Sequence, residues 1–313
     1  MSASDVTKTL DSALLASIQA DISPELYNIL TENVDKDTDA LFKKNFGNIN
    51  STLLNSSRFI SEYYNIDIKE AKFVLNTFNK KEVLANKELL NLNKIIRLHK
   101  ATGMPLLSVL TAIQSKNTQL NIDKETLSSI FHLQVMMNTY LITTEQAIVL
   151  NGGLISKASL DNTPSAFDQL YNNPPLNGNT FTDDNHAFDL ANATNSADII
   201  RLNTLKRAFS VNDIELVMLW QLASGNSRFT CSLANLSLLY RTSLLAQIHS
   251  LSINELVLLV NVLPEPFNKA ISTHTTSDDM GNLIHTINDV IRFAKKEKWT
   301  ISELFLICTQ QYE

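Results

Sequence analysis

The stretch HSLSINELVLLV, His249 to Val260, decides the fold of this 313-residue chain. Ser252 stands as an N-cap with Glu255 at N3, so the hydroxyl can accept from the N3 N–H while the carboxylate reaches back to the cap N–H. Leu251 and Leu256 take the N′ and N4 positions that close as a hydrophobic staple. An apolar stripe of Leu256, Leu259, Val260 and Leu263 follows at helical spacing until Pro264 stops it. The stretch predicts a helix opening at Ser252.

The same arrangement recurs along the chain. It is written by Trp299, Thr300, Glu303 and Leu304, by Phe209, Ser210, Asp213 and Ile214, by Ile142, Thr143, Gln146 and Ala147, and by Ile66, Asp67, Glu70 and Ala71. A relative opens DISPELYNIL, with Ser23 as cap and Pro24 at N1, where a missing N–H costs nothing. Another apolar-periodic segment precedes most caps. Leu236, Leu239, Tyr240 and Leu244 lie before Ser252, Ile287, Val290, Ile291 and Ala294 before Thr300, and Ile130, Leu133, Met137 and Tyr140 before Thr143. The unit is therefore helix, short turn, capped helix.

The caps at Asp67, Thr143, Ser210, Ser252 and Thr300, with a Gly103-Met104-Pro105 turn between the first two, recur at intervals of about 40 residues except across one gap. Such a period suits an array of helical pairs, each burying its apolar face on its neighbours. The fold expected is all-α, made of irregular stacked helical hairpins in an α-solenoid-like manner with one long irregular loop. The exceptional gap holds residues 151–197, rich in Asn, with Gly152, Gly153, Gly178, Pro164, Pro174 and Pro175. That segment is expected to be largely non-helical, between an N-terminal helical part, 1–150, and a C-terminal one, 198–313.

Composition agrees with this reading. Only 7 glycines in the chain is few for a sandwich or barrel full of tight turns. An apolar fraction of 44% and a charged fraction of 19% describe an ordinary globular chain. The net charge of −6 and the absence of a polybasic block disfavour nucleic acid and anionic membrane surfaces as partners. Neither IELVMLWQLA nor LVLLVNVL approaches the ~20 apolar residues of a spanning helix. The N-terminus, MSASDVTKTLDSALLASIQADIS, lacks the basic n-region of a Sec signal peptide.

Chemistry-bearing motifs are scarce. Asp35, Asp37 and Asp39 have the spacing of the first ligands of a calcium loop, yet Ala40 stands where Gly is needed and Phe46 where a bidentate Glu belongs. An acidic start for the helix ALFKKNF is the competing reading. The histidines at 99, 132, 186, 249, 274 and 285 form no HxxxH or HExxH pair. Cys231 and Cys308 are far apart and are expected as two buried free thiols. Trp220, Trp299, Tyr240 and Phe293 fall on apolar helical faces, as core residues do. No nucleophile elbow, P-loop or dinucleotide fingerprint is present. No catalytic, cofactor-binding or metal-ligating residue is assigned.

At AFDQLYNNPPLNG, Ala166 to Gly178, the chain resembles the A subunit of the bacterial insecticidal toxin complexes, the Tc toxins. SPELYNIL (Ser23 to Leu30), KKNFGNI (Lys43 to Ile49), LKRAFSVNDIEL (Leu205 to Leu216), LANLSLLYRTSLLAQIHSLSINEL (Leu233 to Leu256) and KWTISELFLICTQQY near the end carry the same resemblance. It implies a piece of the α-helical shell of a large secreted toxin subunit. Five such subunits surround a central channel that opens on a pH trigger, enters the host membrane and translocates a toxic enzyme made by other subunits. The resemblance implies homo-oligomeric partners within the full subunit, contact with other toxin-complex subunits, receptor contact through other regions, no membrane contact by this segment and no catalytic residue here.

Family members often carry a β-rich receptor-binding insertion after the helix matching EAKFVLNTF, whereas here NKKEVLANKELLNLNK passes straight toward the next helix. The array stops at Glu313 without a polar capping repeat, so either one polypeptide of a split A subunit or an excised fragment is expected. Two alternatives stand beside the toxin reading. One is a free-standing helical adaptor holding a partner peptide in a groove. The other is a hydrolase assembled in the irregular segment around Asp184 and His186.

Overall fold

The computed structural model describes residues 14, 17, 18, 21–78, 83–114, 120–160, 163–225, 228–274 and 277–310. Within them the chain is all-α apart from one two-stranded antiparallel ribbon. The expectations for the N-terminal leader, for Glu313 and for the directness of the chain after Phe78, where residues 79–82 intervene, lie outside the described residues. Two compact units divide the chain, residues 1–144 with 158–163, and residues 145–157 with 164–313.

The first unit contains α1 (Pro24–Thr31), α2 (Thr38–Phe46), α3 (Ser57–Tyr64), α4 (Ile68–Phe78), α5 (Asn86–Thr102), α6 (Leu106–Gln114) and α7 (Lys124–Tyr140). Helices α1, α2, α4 and α6 all pack on α5. The reason lies in its residues: Leu89, Leu90, Leu92, Ile95, Ile96 and Leu98 are all buried, as in a helix apolar on most faces. Asn91, Asn93 and Lys94 are buried with them, and buried polar groups need partners. The Tyr64 hydroxyl and Arg97 Nε donate to Asn93 Oδ1 at 2.8 and 2.9 Å, while the Asn93 amide donates to Asn45 Oδ1 at 3.2 Å. Lys94 Nζ donates to the Glu32 carbonyl at 2.5 Å. Burial pushes the Lys94 ammonium down to about 8, against the opposing pull of Glu32 and Asp123.

The second unit begins within α8 (Thr144–Leu150) and continues through α9 (Ala166–Tyr171), β1 (Ala187–Asp189), α10 (Ser196–Phe209), α11 (Asp213–Ser224), β2 (Arg228–Thr230), α12 (Leu233–Ile248), α13 (Ile253–Val262), α14 (Ser277–Glu297) and α15 (Ile301–Thr309). Helices α10 and α11, α12 and α13, and α14 and α15 form successive hairpins. The capped member of each pair also packs on the next, α11 on α13 and α13 on α15, so the capped helices lie in a row. This is the stacked-hairpin arrangement read from the cap spacing.

One turn joins the helices of each pair. In six of these turns the backbone enters the left-handed region two residues before the cap, at Asp21, Asn65, Leu141, Ser210, Ser250 and Lys298, with φ between 50 and 61°. The residue that follows sends its N–H back to close the preceding helix. Ile22 donates to Ser17, Ile66 to Ser61, Val211 to Lys206, Leu251 to Ala246 and Trp299 to Ala294, at 2.9 to 3.1 Å. This is the Schellman closure, here made without glycine.

The caps follow. Ser252 and Glu255 make both bonds of the box, Ser252 N–H to Oε2 at 2.8 Å and Glu255 N–H to Oγ at 3.2 Å, and Thr300 with Glu303 repeats the same two distances. Ser23 accepts from the Leu26 N–H at 3.2 Å with Pro24 opening α1. Asp67 and Thr143 directly precede α4 and α8, the Asp67 carboxylate accepting from the Lys69 N–H at 2.7 Å. Ser210 does not cap α11. It is the left-handed residue that ends α10, and the box sits two positions on, where Asn212 and Glu215 exchange bonds of 2.9 Å. Asn caps at least as well as Ser, and Glu at N3 completes a reciprocal pair that Asp213 would not.

The segment 151–197 is largely irregular but carries α9, capped by Ser165, and β1. Strand β1 pairs with β2 so that Phe188 faces Phe229. Phe229 meets Trp220 edge-to-face with centroids 4.9 Å apart, and Trp220 Nε1 donates to the Arg228 carbonyl at 3.1 Å. Tyr171, wholly buried, is ringed by Phe167, Phe181 and Phe209. Gly153 is required where it stands, because a Cβ would lie 2.6 Å from Ile148 Cγ2 and 2.8 Å from its carbonyl oxygen.

Three expectations about burial need correction. Cys231 is buried but Cys308 is exposed. Phe293 and Trp299 are 48% and 37% exposed, touching one another edge-to-face at 5.8 Å instead of filling a core. Trp220 is buried, and Tyr240 packs near Phe209 at 6.1 Å. Among the described residues no single helix is long and apolar enough to cross a membrane, and the apolar pair α12 and α13 is bent by 91°.

Candidate functional site

Asp35, Asp37 and Asp39 do not converge. The Asp35 carboxylate pairs with Lys87. Asp39 Oδ1 accepts from Asn86 Nδ2 at 2.9 Å, and Asp37 adopts φ 54° just before α2. Asp39 in the first turn of α2, with Lys43 and Lys44 in the last, is the charge order that a helix dipole favours. Among the described residues no group of three or more His, Cys, Asp or Glu side chains is placed to hold a metal.

The histidines are scattered as well. His99 Nδ1 lies 2.7 Å from the Met104 carbonyl, at the turn before α6. His132 is exposed, and His285 pairs with Asp289 at 2.9 Å on the outer face of α14. His274 is buried and stacks on Phe267 with centroids 6.3 Å apart. His249 closes α12, and burial holds its imidazolium down to about 4.

One cluster brings together the pair named in the hydrolase reading. His186 Nε2 lies 2.8 Å from Asp198 Oδ1, the Arg201 guanidinium donates to Asp184 Oδ2 at 2.6 Å, and its second nitrogen reaches Asp198 Oδ1 at 3.5 Å. The His186 N–H donates to Asp184 Oδ1 at 3.0 Å. Burial raises the Asp184 carboxyl, but the bonds from His186 and Arg201 outweigh it and leave the group below the usual carboxylate range. The ladder of the ribbon continues into the cluster, where the Cys231 N–H donates to the His186 carbonyl at 2.8 Å. Sequence reasoning missed Asp198 and Arg201. The available signal was Asn195 followed by an acid at N3, and an Arg one helical turn beyond it.

A histidine oriented by a carboxylate is one half of a catalytic dyad. Cys231, the neighbouring thiol, is pushed up to about 12 by burial and the charges of Asp184 and Asp198, so it is not a thiolate at neutral pH. The Asp198 carboxylate is already engaged by His186, Arg201 and the Asn195 amide, the last at 2.5 Å. The adjoining cleft, lined by Asn179, Thr180, Thr182, Ile200 and Arg201, measures about 190 Å³, well below the ~300 Å³ at which small-molecule pockets begin. The geometry is that of a clasp fixing residues 184–186 and the ribbon to the first turn of α10.

Stacked helical pairs in a row, with one charged cluster clasping a loop, define an all-α stacked-hairpin architecture as the class of fold. No family model matches the chain, and no curated protein does. Solved structures do. Over 71% of its length the chain is similar to TcdA4 of Morganella morganii, with 26% identity and a TM-score of 0.61, and over 100% of its length it shares the fold of TcaA-TcaB of Yersinia pseudotuberculosis, with 16% identity and a TM-score of 0.53. The resemblance to Tc toxin A subunits read from sequence motifs is thus present in the fold. The chain spans 10% and 15% of the length of those two chains.

Proposed function

We propose that the chain is a non-enzymatic structural module of the shell of a Tc toxin A subunit, the secreted component that forms a pore and delivers a toxic enzyme into host cells. The observation that carries this reading is the likeness to TcdA4 at 26% identity, joined by a fold match to TcaA-TcaB along the whole chain. The internal chemistry points the same way. Asp184 and His186, the residues on which an enzymatic reading rests, are engaged with Arg201 and Asp198 in holding a loop.

The module acts mechanically in this proposal. Stacked pairs give a stiff wall, the walls of several copies surround a channel, and other regions contact the receptor. Electron microscopy of the intact parent polypeptide tests it. A ring of copies with these helical pairs in the outer wall is expected. A strictly monomeric parent, by light scattering at micromolar concentration, overturns it.

A further inference from the structure

The chain holds two Asn-Gly pairs, Asn151-Gly152 and Asn177-Gly178, and the fold treats them in opposite ways. In such a pair a side-chain amide lies next to a backbone nitrogen that glycine leaves unshielded, having no side chain of its own. Asn151 is 7% exposed, and its N–H donates to the Ala147 carbonyl at 2.9 Å. The Gly152 N–H donates to the Val149 carbonyl at 3.2 Å, and the Gly153 N–H to the Ile148 carbonyl at 2.8 Å. The carbonyl that holds the Gly152 nitrogen also accepts from Arg241 Nε at 2.7 Å. The nitrogen of this first pair is therefore engaged in a turn that Arg241 pins.

Asn177 and Gly178 are the two central residues of a tight turn, with φ of 52° and 72°. The Asn179 N–H donates to the Leu176 carbonyl at 2.9 Å and closes it in the manner of the primed hairpin turns. Both central residues are exposed, and among the described residues nothing bonds the Asn177 side chain or the Gly178 N–H. A Cβ built on Gly178 would meet no atom within 4 Å, so the space over this nitrogen is open to a side chain and to water. The base of the loop is anchored separately, by Arg207 donating to the Tyr171 and Pro174 carbonyls, each at 2.6 Å.

We infer that Asn177 is a site of self-modification by deamidation, with water as the co-reactant. The Gly178 nitrogen gives its proton to solvent base and bonds to Asn177 Cγ, an attack within one chain that needs no encounter. The Cγ–Nδ2 bond breaks, ammonia leaves and a five-membered succinimide remains. Water adds to one of its two ring carbonyls and opens it to aspartate or isoaspartate. One water is consumed, one ammonia is released and one carboxylate is gained, with no change of oxidation state. Isoaspartate carries an extra methylene in the main chain, so the closure between Leu176 and Asn179 is lost while the Arg207 anchor stays. The inference rests on this turn and is independent of the toxin reading.

The test incubates the full chain in mildly alkaline buffer and follows both pairs by peptide mapping with mass spectrometry, with isoaspartyl methyltransferase labelling to tell isoaspartate from aspartate. In the folded chain residue 177 converts at least about tenfold faster than residue 151, because Asn151 must first open locally. In urea the two pairs convert at comparable rates. Gly178→Ala slows conversion at 177 several-fold, since the new methyl group shields the attacking nitrogen, and leaves 151 unchanged. An unaltered circular dichroism spectrum during incubation shows that the reaction proceeds in the native fold. Equal rates at the two pairs in the folded chain overturn the inference. So does a residue 177 that stays intact when folded and converts only in urea, because the turn is then a guard. Conversion as fast in Gly178→Ala as in wild type overturns the route through the Gly178 nitrogen.

Discussion

The buried guanidinium of Arg241, in the middle of α12, donates through Nε to the carbonyl of Val149 at 2.7 Å, 92 positions earlier in the chain. A second nitrogen of the same group donates to the Gly153 carbonyl at 3.2 Å. One side chain thus holds the end of α8 and the tight Asn151–Gly153 turn against α12. Burial lowers the guanidinium to about 10, so it stays charged at neutral pH.

Arg241→Ala should lower unfolding free energy by about 3 kcal/mol, because two charge-assisted hydrogen bonds vanish and two carbonyls remain buried. Urea denaturation measures this. Arg241→Lys should recover less than half, since one ammonium cannot match the planar fork that spans both carbonyls. Hydrogen exchange should localise the loosening of Arg241→Ala to residues 149–153.

The displaced cap makes a clear contrast. Asn212→Ala should destabilise by about 1 kcal/mol, as should Ser252→Ala and Thr300→Ala. Ser210→Gly, by contrast, should stabilise by about 0.5 kcal/mol, because the left-handed backbone there strains any residue with a Cβ. Thermal melts of the four variants separate the two roles.

Leu141 combines a φ of 54° with 90% exposure. Leu141→Gly should raise stability by about 1 kcal/mol, removing left-handed strain while giving up no burial. A melting temperature unchanged or lowered in this variant would show that the turn is not closed as described.

Stability should depend on pH at both ends of the range. His249 is held down to about 4 in the fold, against about 6.5 in the unfolded chain. Between those values the unfolded chain binds the extra proton, so stability falls as pH drops from 6.5 toward 4, on the order of 2 kcal/mol from this group. Lys94, lowered to about 8, acts in the same sense at higher pH. From pH 8 to about 10.5 the unfolded chain again holds more protons, so stability rises with pH across that window. Urea midpoints across pH 4 to 10.5 should show both limbs, with His249→Gln flattening the first and Lys94→Met the second.

The two thiols should report their surroundings. Ellman's reagent should titrate Cys308 within minutes in the native chain, whereas Cys231, buried and pushed up to about 12, reacts only on unfolding.

What could be read in advance was whatever a few neighbouring residues decide among themselves. Ser252 with Glu255, Thr300 with Glu303 and Ser23 with Pro24 close hydrogen bonds within one helical turn, so their spacing alone announces the helices they open. The spacing of those openings announced the row of pairs. Even local reading faltered at Ser210, because a left-handed helix end without glycine looks like a cap when the true cap, Asn212, stands two residues on.

The clasp of His186, Asp198, Arg201 and Asp184 was only half legible. Asp184 and His186 drew notice as chemistry-bearing residues in a loop, while their partners sit in a helix whose own pattern gave them no distinction. The ribbon joining Ala187–Asp189 to Arg228–Thr230 is shorter than any periodicity can register.

From the chain of residues alone came the all-α class, the paired helices and their starting points, since capping and apolar periodicity act over three to eight neighbours in sequence. Only the tertiary structure decided which apolar residues are covered. Cys308, Phe293 and Ile307 are as apolar as their counterparts in the preceding pairs, but burial is a property of what lies opposite a side chain, and that is set by distant parts of the chain. The same holds for Arg241, whose ordinary place in a helix says nothing of the two carbonyls it was folded to meet.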